Sequence, residues 1–316
     1  MWKKSPSSEK IRELSWPERI QMIKDTFLDF IASNSLFHGA ALSYYTIFAM
    51  VPIIYLSVSV FGYFIGQKTM ISIIIHVLKN QVGITDVSGI IAFLNTVNFE
   101  KGNFVLKVVG IVALLLSSSA IFESLRNSLN SFFGLEKIFH TSRKKILSNL
   151  LSRLISIALL GFAASVVIIT YFAQLLLVTF LKKLFGDLEG AEAVFLSILQ
   201  HGLGIFSNLL IFGFVFKYLH DGVLRWRLAW RGAFVTAILL YVGQLLIQYY
   251  LSHFFFAKDG GIAGVLLLIL AYIYYSSQMI FFGAKFTAVY ARAVGHPIVV
   301  KTSKRNEMKA DVITDY

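Results

Sequence analysis

The chain has no cysteine, and charged residues make up only 15% of its 316 residues. Without cysteine there is no disulfide framework, thiolate metal site or cysteine nucleophile. Acidic residues are scarcest, with 17 Asp and Glu against 29 Lys and Arg, which gives a formal net charge of +12 at pH 7. Apolar residues dominate instead, at 57% of the chain, and the mean hydropathy is +0.71. A soluble core of this size could not bury so many apolar runs, so the composition predicts an integral membrane protein.

Enzyme signatures are also missing from the sequence. There is no HExxH, P-loop or GxSxG motif, and no cluster of acidic residues that could hold the metals of a nuclease. The seven histidines are scattered without metal-ligand spacing. We therefore expect no enzymatic activity, no cofactor and no bound metal.

Long apolar runs are the main feature of the chain. About 20 helical residues cross a hydrocarbon core of about 30 Å. Six runs are long enough: His38–Gly66, Phe104–Phe122, Leu154–Leu181, Leu196–Leu219, Ala229–Phe256 and Ile262–Val289. The predicted fold class is all-α, a polytopic membrane protein with six transmembrane helices, an N-terminal amphipathic helix and two short external helices. Three regions follow: a cytoplasmic segment at 1–37, a membrane domain at 38–289 and a cytoplasmic tail at 290–316.

Positive charge is unevenly distributed between the two sides of this arrangement. Twenty of the 29 lysines and arginines lie before the first span, in 134–153, in 217–231 or in the tail, whereas the alternate loops hold six. By the positive-inside rule, both termini face the cytoplasm. Anionic lipid headgroups, rather than nucleic acid, are the expected partners of these cations.

The segment before the first span has the pattern of a surface helix. Apolar residues recur at helical spacing on one face, at Trp16, Ile20, Ile23, Phe27 and Ile31. Ser15, with Glu18 three residues later, predicts a capping box at the start of the helix. Two placements remain open: the helix lies on the inner leaflet, or it packs against the protein's own cytoplasmic loops.

The connection between the first two spans, residues 67–103, is too long for a simple turn. It contains two short apolar stripes at helical spacing, one from Ile71 to Leu78 and one from Ile84 to Leu94. Neither is long enough to cross a bilayer, so both are predicted as helices on the outer face. They form either a lid over an outward-facing vestibule or a structural cap on the bundle.

Polar side chains within the spans mark candidate functional positions, because small and polar residues line the packed faces of helices in lipid. In the first span, Pro52 should also bend the helix. Nine residues are predicted to line an interior cavity: Ser43, Tyr44, Tyr45, Pro52, Tyr241, Gln244, Gln248, Tyr275 and Gln278. The alternative is that these groups only join adjacent helices by hydrogen bonds.

Ionisable residues near the inner ends of the spans form a second candidate group. A charge at the centre of a helix disfavours insertion by about 2.5 to 3.5 kcal/mol, so each needs a reason. Glu123 and Arg126 lie three residues apart and can pair on one helix face, and Lys285 reaches a similar depth in the sixth span. We predict that these three form a charge network. The alternative is that Lys285 extends to the lipid headgroups.

Four stretches resemble the YihY/BrkB family of bacterial inner-membrane proteins. They are GAALSYYT from Gly39 with Pro52 beyond it, ESLRNSLN from Glu123, WRGA from Trp230, and the sixth span from Gly261 to Thr287. The chain departs from the family at Lys285, where an acidic residue is usual, and at Gly260, where a tyrosine is frequent. The resemblance implies a multi-pass protein of the bacterial inner membrane, with roles in virulence, serum resistance or envelope lipid movement.

Transport is the function that these expectations favour. The expected activity is the movement or export of an amphipathic or small polar solute, with a lipid as one possibility, through a polar interior beneath an external lid. The alternative is a non-transporting scaffold of the cell envelope that recruits partners through its basic inner face. A membrane-associated ribonuclease, an older label of the family, is a remote third. A transporter needs a continuous cavity between the spans, whereas a scaffold can be packed solid.

Overall fold

Helices form the framework of the protein in the computed structural model, which describes residues 12–79, 91, 120–135, 145–186, 190–254 and 261–300. Helix α1 is Trp16–Ala32 and α2 is Ser35–Leu56; the π-helical segment Ser57–Phe61 leads into α3, Gly62–Ile65, and then α4, Gln67–Val77. Residues 120–132 are helical and form α5. The helices α6 to α9 are, in order, Lys145–Phe185, Ala191–Tyr218, Trp226–Phe254 and Gly261–Ala293.

Four helices within the described residues are long and apolar enough to cross a membrane. They are α6 to α9, which coincide with the last four predicted spans. In lipid no water can bind backbone N–H and C=O groups, so a helix is the structure in which such runs satisfy them. The all-α polytopic membrane fold is therefore confirmed. The six-span count stays a prediction, because α2 is not among the four and most of Phe104–Phe122 lies outside the described residues.

Consecutive long helices pack against each other. Helix α7 packs on α6 and α8, and α9 packs on α8, α2 and α1. Because the connections are short, α6 to α9 run alternately up and down. The start of α8 and the ends of α7 and α9 therefore lie at the same end of the bundle, which we call the basic end. Its described cations include Lys217, Arg225, Arg227, Arg231 and Arg292.

Two reciprocal glycine–threonine pairs bring α8 and α9 together. A Cβ atom on Gly232 would lie 1.8 Å from Thr287 Oγ1, and one on Gly283 would lie 1.8 Å from Thr236 Oγ1. The Thr236 hydroxyl donates to the Gly232 carbonyl at 2.9 Å, and the Thr287 hydroxyl donates to that of Gly283 at 2.7 Å. Small residues let helix backbones approach closely in lipid. These four residues, which we call the Gly–Thr seam, therefore set the separation of the two helices.

Helix α1 begins at the predicted capping box, which is confirmed. The Ser15 backbone N–H donates to the Glu18 carboxylate at 2.8 Å. This hydrogen bond and a second one from the Ser15 hydroxyl lower the pKa of Glu18 below its ordinary value. The ionised carboxylate thus satisfies a backbone donor that has no partner within the helix.

The two faces of α1 have different surroundings. Met22 and Thr26 are buried where α1 packs on α9, and Arg292 of α9 donates to Asp29 at 2.7 Å. The residues of the predicted apolar stripe are all exposed: Trp16, Ile20, Ile23, Phe27 and Ile31. Which surface covers this stripe stays a prediction.

Helix α4 folds back onto the bundle after a turn at Gly66. That residue has φ +90°, a conformation that glycine adopts without strain. Met70 and Ile73 then form a buried cluster with Val58 and the side of α6, and Leu78 packs with Leu268 and Ile269 of α9. The first half of the predicted external region therefore contacts the spans directly. Of the second stripe, only Ile91 belongs to the described residues.

A short antiparallel pairing joins two segments at the basic end. Strand β1, Gly222–Val223, pairs with β2, Val299–Val300. This pairing connects the α7–α8 loop to the residues that follow α9. The first part of the predicted tail therefore belongs to the fold, since α9 continues to Ala293 and β2 lies beyond it. Residues 301–316 lie outside the described residues.

Candidate functional site

A polar cavity of about 460 Å³ lies between α4, α6, α7 and α8. Its volume falls within the range of small-molecule sites, about 300 to 1,000 Å³. Eight of the residues that line it carry amides or hydroxyls: Gln174, Gln200, Asn208, Gln244, Thr170, Tyr171, Ser207 and Tyr241. His76, Lys79 and His201 add ring and ammonium nitrogens, and the lining is completed by Val77, Val167, Gly204 and Leu245.

Helical periodicity places these residues on one face of each span. On α7 they lie at positions 200, 201, 204, 207 and 208, and on α6 at 167, 170, 171 and 174. Residues three or four apart share a helix face, and Tyr241 and Gln244 on α8 have the same relation. Three helices therefore each direct one polar strip toward the same space, and the end of α4 contributes the fourth wall.

Hydrogen bonds connect α4, α6 and α7 at the cavity wall. Gln174 Nε2 donates to the Gln200 backbone oxygen at 3.4 Å, and Gln174 Oε1 lies 3.2 Å from His76 Nε2. Because a backbone carbonyl can only accept, this arrangement makes Gln174 Oε1 the acceptor and His76 Nε2 the donor. The His76 ring also stands edge-on to Tyr171, with centroids 5.2 Å apart. Helix α4, which was predicted to lie on the outer face, is thereby attached to α6 at the cavity.

The remaining contacts of the wall are local. The rings of His201 and Tyr241 lie 5.4 Å apart across the α7–α8 contact, and the Ser207 hydroxyl donates to the Gly204 carbonyl at 3.2 Å. Among the residues that the structure describes, no group of three His, Cys, Asp or Glu side chains could hold a metal ion. The described lining offers hydrogen-bonding side chains and one ammonium group.

Of the nine residues predicted to line a cavity, Tyr241 and Gln244 line this one. Both lie on α8, where the sequence has its polar stripe. Gln248 continues that stripe and Pro52 lies in α2, but the side chains of both are outside the described part of the structure.

Ser43, Tyr44, Tyr45, Tyr275 and Gln278 lie elsewhere. Helix α2 packs on α9 through the face of Gly39, where a Cβ atom would lie 2.1 Å from Gln278 Nε2. That amide donates to the Ser35 backbone oxygen at 3.2 Å. Ser43 follows Gly39 by one helical turn and is buried, whereas Tyr44, Tyr45 and Tyr275 are exposed. Tyr44 and Tyr45 are exposed because the two positions after Ser43 on α2 point away from the buried face. These five residues therefore lie apart from the cavity that Tyr241 and Gln244 line.

Asp221 is the ion-pair partner of Arg126. Arg126 lies on α5 and forms a salt bridge with Asp221 in the α7–α8 connection. Asn130, one turn along α5, forms two hydrogen bonds with Asp221. Its Nδ2 donates to Asp221 Oδ2 at 2.8 Å, and its Oδ1 accepts from the Asp221 backbone N–H at 2.9 Å. Asp221 was not predicted from the sequence as a partner of Arg126, and the expected pairing of Arg126 with Glu123 stays a prediction. Asp221 comes from a segment distant in sequence, because the α7–α8 connection folds against α5.

Glu123 and Lys285 have different environments. Glu123 is exposed, and Lys285 is half-buried. The Lys285 ammonium group lies 5.5 Å from the centroid of the Phe132 ring, which favours a cation–π contact. The charge network predicted for Glu123, Arg126 and Lys285 stays a prediction.

No residue of α4 or α6 was among those predicted from the sequence to line the cavity. One signal was available for α6: Gln174 is the only amide in the run Leu154–Leu181. A strongly polar side chain within a span requires a partner, and this amide binds both neighbouring helices. Asp221 had no comparable signal, since it lies in a loop and its partners are about 90 residues away.

Comparison with known proteins adds a family relationship. A sequence profile of the family described as "Virulence factor BrkB" matches residues 26–307, which is most of the chain. No curated protein and no solved structure matches the chain.

Proposed function

Because the chain belongs to the Virulence factor BrkB family, we propose that it is a transporter-like protein of the bacterial inner membrane that moves or exports an amphipathic or small polar solute, with a lipid among the candidates. The observation that carries this proposal is the polar cavity between α4, α6, α7 and α8. In lipid, polar side chains are unfavourable unless they are paired or face a wet interior. Eleven polar residues around one space therefore favour a site for water and solute.

The proposal includes six spans with both termini in the cytoplasm. The six are the predicted spans His38–Gly66 and Phe104–Phe122 together with α6 to α9. The basic end then faces the cytoplasm, in line with the positive-inside rule. The exposed apolar stripe of α1 lies in the inner leaflet, where anionic headgroups attract the neighbouring cations.

Helix α4 has the role of a lid in this arrangement. It is too short to cross a bilayer, yet its last residues His76 and Val77 form part of the cavity wall, as does Lys79 two residues beyond it. Movement of α4 away from α6 and α7 would break the His76–Gln174 contact and open the cavity outward. A transport cycle requires the same cavity to open to the cytoplasm in a second state.

Water access to the cavity from each side tests the proposal. The sequence contains no cysteine, so Asn208→Cys introduces a single thiol at the cavity wall. Phe206→Cys is the matched control, because Phe206 lies on the same helix and is exposed on the outside of the bundle. We expect a membrane-impermeant thiol reagent to label Asn208→Cys in both right-side-out and inside-out vesicles. The Phe206→Cys variant should resist labelling, because a thiol in lipid does not ionise.

Access to Asn208→Cys from only one side, or from neither, would contradict a transport cycle. In that case a non-transporting scaffold that recruits partners through the basic end would be the better description.

A further inference from the structure

The formal charge of the described cavity wall is positive. Lys79 supplies an ammonium group, and none of the described residues that line the cavity is an aspartate or a glutamate. Within the described chain, no carboxylate forms a salt bridge with Lys79. Electrostatic attraction increases as the local dielectric constant falls. Lys79 is exposed, so an anion can reach its ammonium group, and their attraction increases as the anion moves from water into the space between the helices.

Several N–H donors of the wall are available to a ligand. The side chains of Lys79, Gln200 and Asn208 donate no hydrogen bond to any part of the chain that the structure describes. The amide of Gln174, in contrast, is occupied by His76 and by the backbone of α7. Gln200 and Asn208 are eight residues apart on α7, which corresponds to about 12 Å along a helix. The unused donors therefore extend along the depth of the cavity from the α4 side.

We propose that this cavity binds a ligand that carries an anionic phosphate group, with Lys79 as the charge partner of the phosphate and with Gln200 and Asn208 as hydrogen-bond donors to polar groups along the ligand. The statement that this ligand is the transported solute rests on the proposed function; the binding itself does not. The cavity volume, about 460 Å³, is larger than a bare inorganic anion needs and accommodates a polar headgroup. A lipid phosphate and a free phosphate share this chemistry.

Calorimetric titration of the purified full-length protein tests the proposal. The detergent is dodecyl maltoside, which carries no phosphate. The probes are dioctanoyl phosphatidic acid, inorganic phosphate, dioctanoylglycerol as the same chains without the anion, and choline as a cation. We expect saturable binding of phosphatidic acid, of phosphate or of both, and none of dioctanoylglycerol or choline. Binding of phosphate as tight as that of phosphatidic acid would identify a small anion as the ligand, whereas binding of phosphatidic acid alone would identify a headgroup.

Substitution of Lys79 locates the site. Lys79→Gln should weaken anion binding by about tenfold or more, since a hydrogen bond to a charged group is lost, and Lys79→Arg should retain it. Lys68→Gln is the matched control, because Lys68 is exposed like Lys79, lies at the start of α4 and does not line the cavity. Equal affinities of Lys79→Gln and Lys68→Gln for the anion would overturn the proposal. Binding of choline or dioctanoylglycerol as tight as that of phosphatidic acid would also overturn it. This comparison uses the unchanged protein and does not depend on the folding of a variant.

The two proposals fail separately. Anion binding together with one-sided labelling of Asn208→Cys would retain the anion site and reject transport. Two-sided labelling without anion binding would retain transport and reject the anion site.

Discussion

Asp221 is a carboxylate buried in the protein with three polar contacts on one helix. Its side chain is only 5% exposed, its partner Arg126 is 23% exposed, and Asn130 is fully buried. Burial of a charge is unfavourable unless the charge is paired and hydrogen-bonded. Arg126 and Asn130 meet both conditions. Loss of the carboxylate would leave a guanidinium group partly buried without its counter-charge.

We predict that Asp221→Asn lowers the free energy of unfolding by about 3 kcal/mol. This value is near the lower end of the range for broken buried pairs, because the Arg126 side chain keeps some exposure to solvent. Asp29→Asn is the matched control. It removes the acid of the Asp29–Arg292 salt bridge, whose side chains are 42% and 59% exposed, and should lower stability by at most about 1 kcal/mol. Unfolding in detergent micelles measures both, and equal losses would show that burial of Asp221 is unimportant.

Contacts between whole helices depend on the steric fit of small side chains as well as on charge. At the Gly–Thr seam, each helix presents a glycine to the threonine of the other. The threonine side chains are branched at Cβ and rotate little within a helix. The seam therefore tolerates little added volume on either side.

Gly283→Ala should destabilise the protein by about 1 to 3 kcal/mol, the usual effect of overpacking. The new methyl group would lie 1.8 Å from Thr236 Oγ1 and 3.0 Å from Thr236 Cβ. Gly161→Ala is the control on α6, because nothing lies within 4 Å of a Cβ atom there, and it should be neutral or slightly stabilising. Thermal unfolding in micelles is the measurement. Adding Thr236→Ala to Gly283→Ala should recover part of the loss; no recovery would place the strain elsewhere.

At the scale of the whole molecule, we expect the distribution of positive charge to set the orientation in the membrane. We predict that positions 7, 145, 226 and 304 face the cytoplasm and that positions 86, 187 and 259 face outward. Single cysteines at these positions, in a chain that otherwise has none, can be labelled with an impermeant reagent on intact cells. Only the last three should react, because positively charged loops remain inside. External labelling of Lys145→Cys would contradict the six-span arrangement.

Local patterns in the sequence determined the class of the molecule. Hydropathy located α6 to α9, periodicity identified α1 with its apolar stripe, and Ser15 with Glu18 marked where α1 begins. The four short stretches that resemble the YihY/BrkB family led to the same family as the profile match. Each of these signals lies within a short window of the chain, and the physics behind it is local: helix capping, a 3.6-residue repeat and transfer of apolar residues into lipid.

Only the tertiary structure decided which polar residues share a space. The stripe with Tyr241 and Gln244 was visible in the sequence, but its partners across the cavity come from α4, α6 and α7. The tyrosines of α2 are instead exposed on the surface of the bundle. Arg126 likewise had a nearby acid in Glu123, yet pairs with Asp221. A helical pattern indicates that a face is polar and not what that face will contact, because the contact depends on how helices distant in sequence pack. Here close packing at Gly39 and at the Gly–Thr seam joins α2, α8 and α9 and leaves the space between α4, α6, α7 and α8.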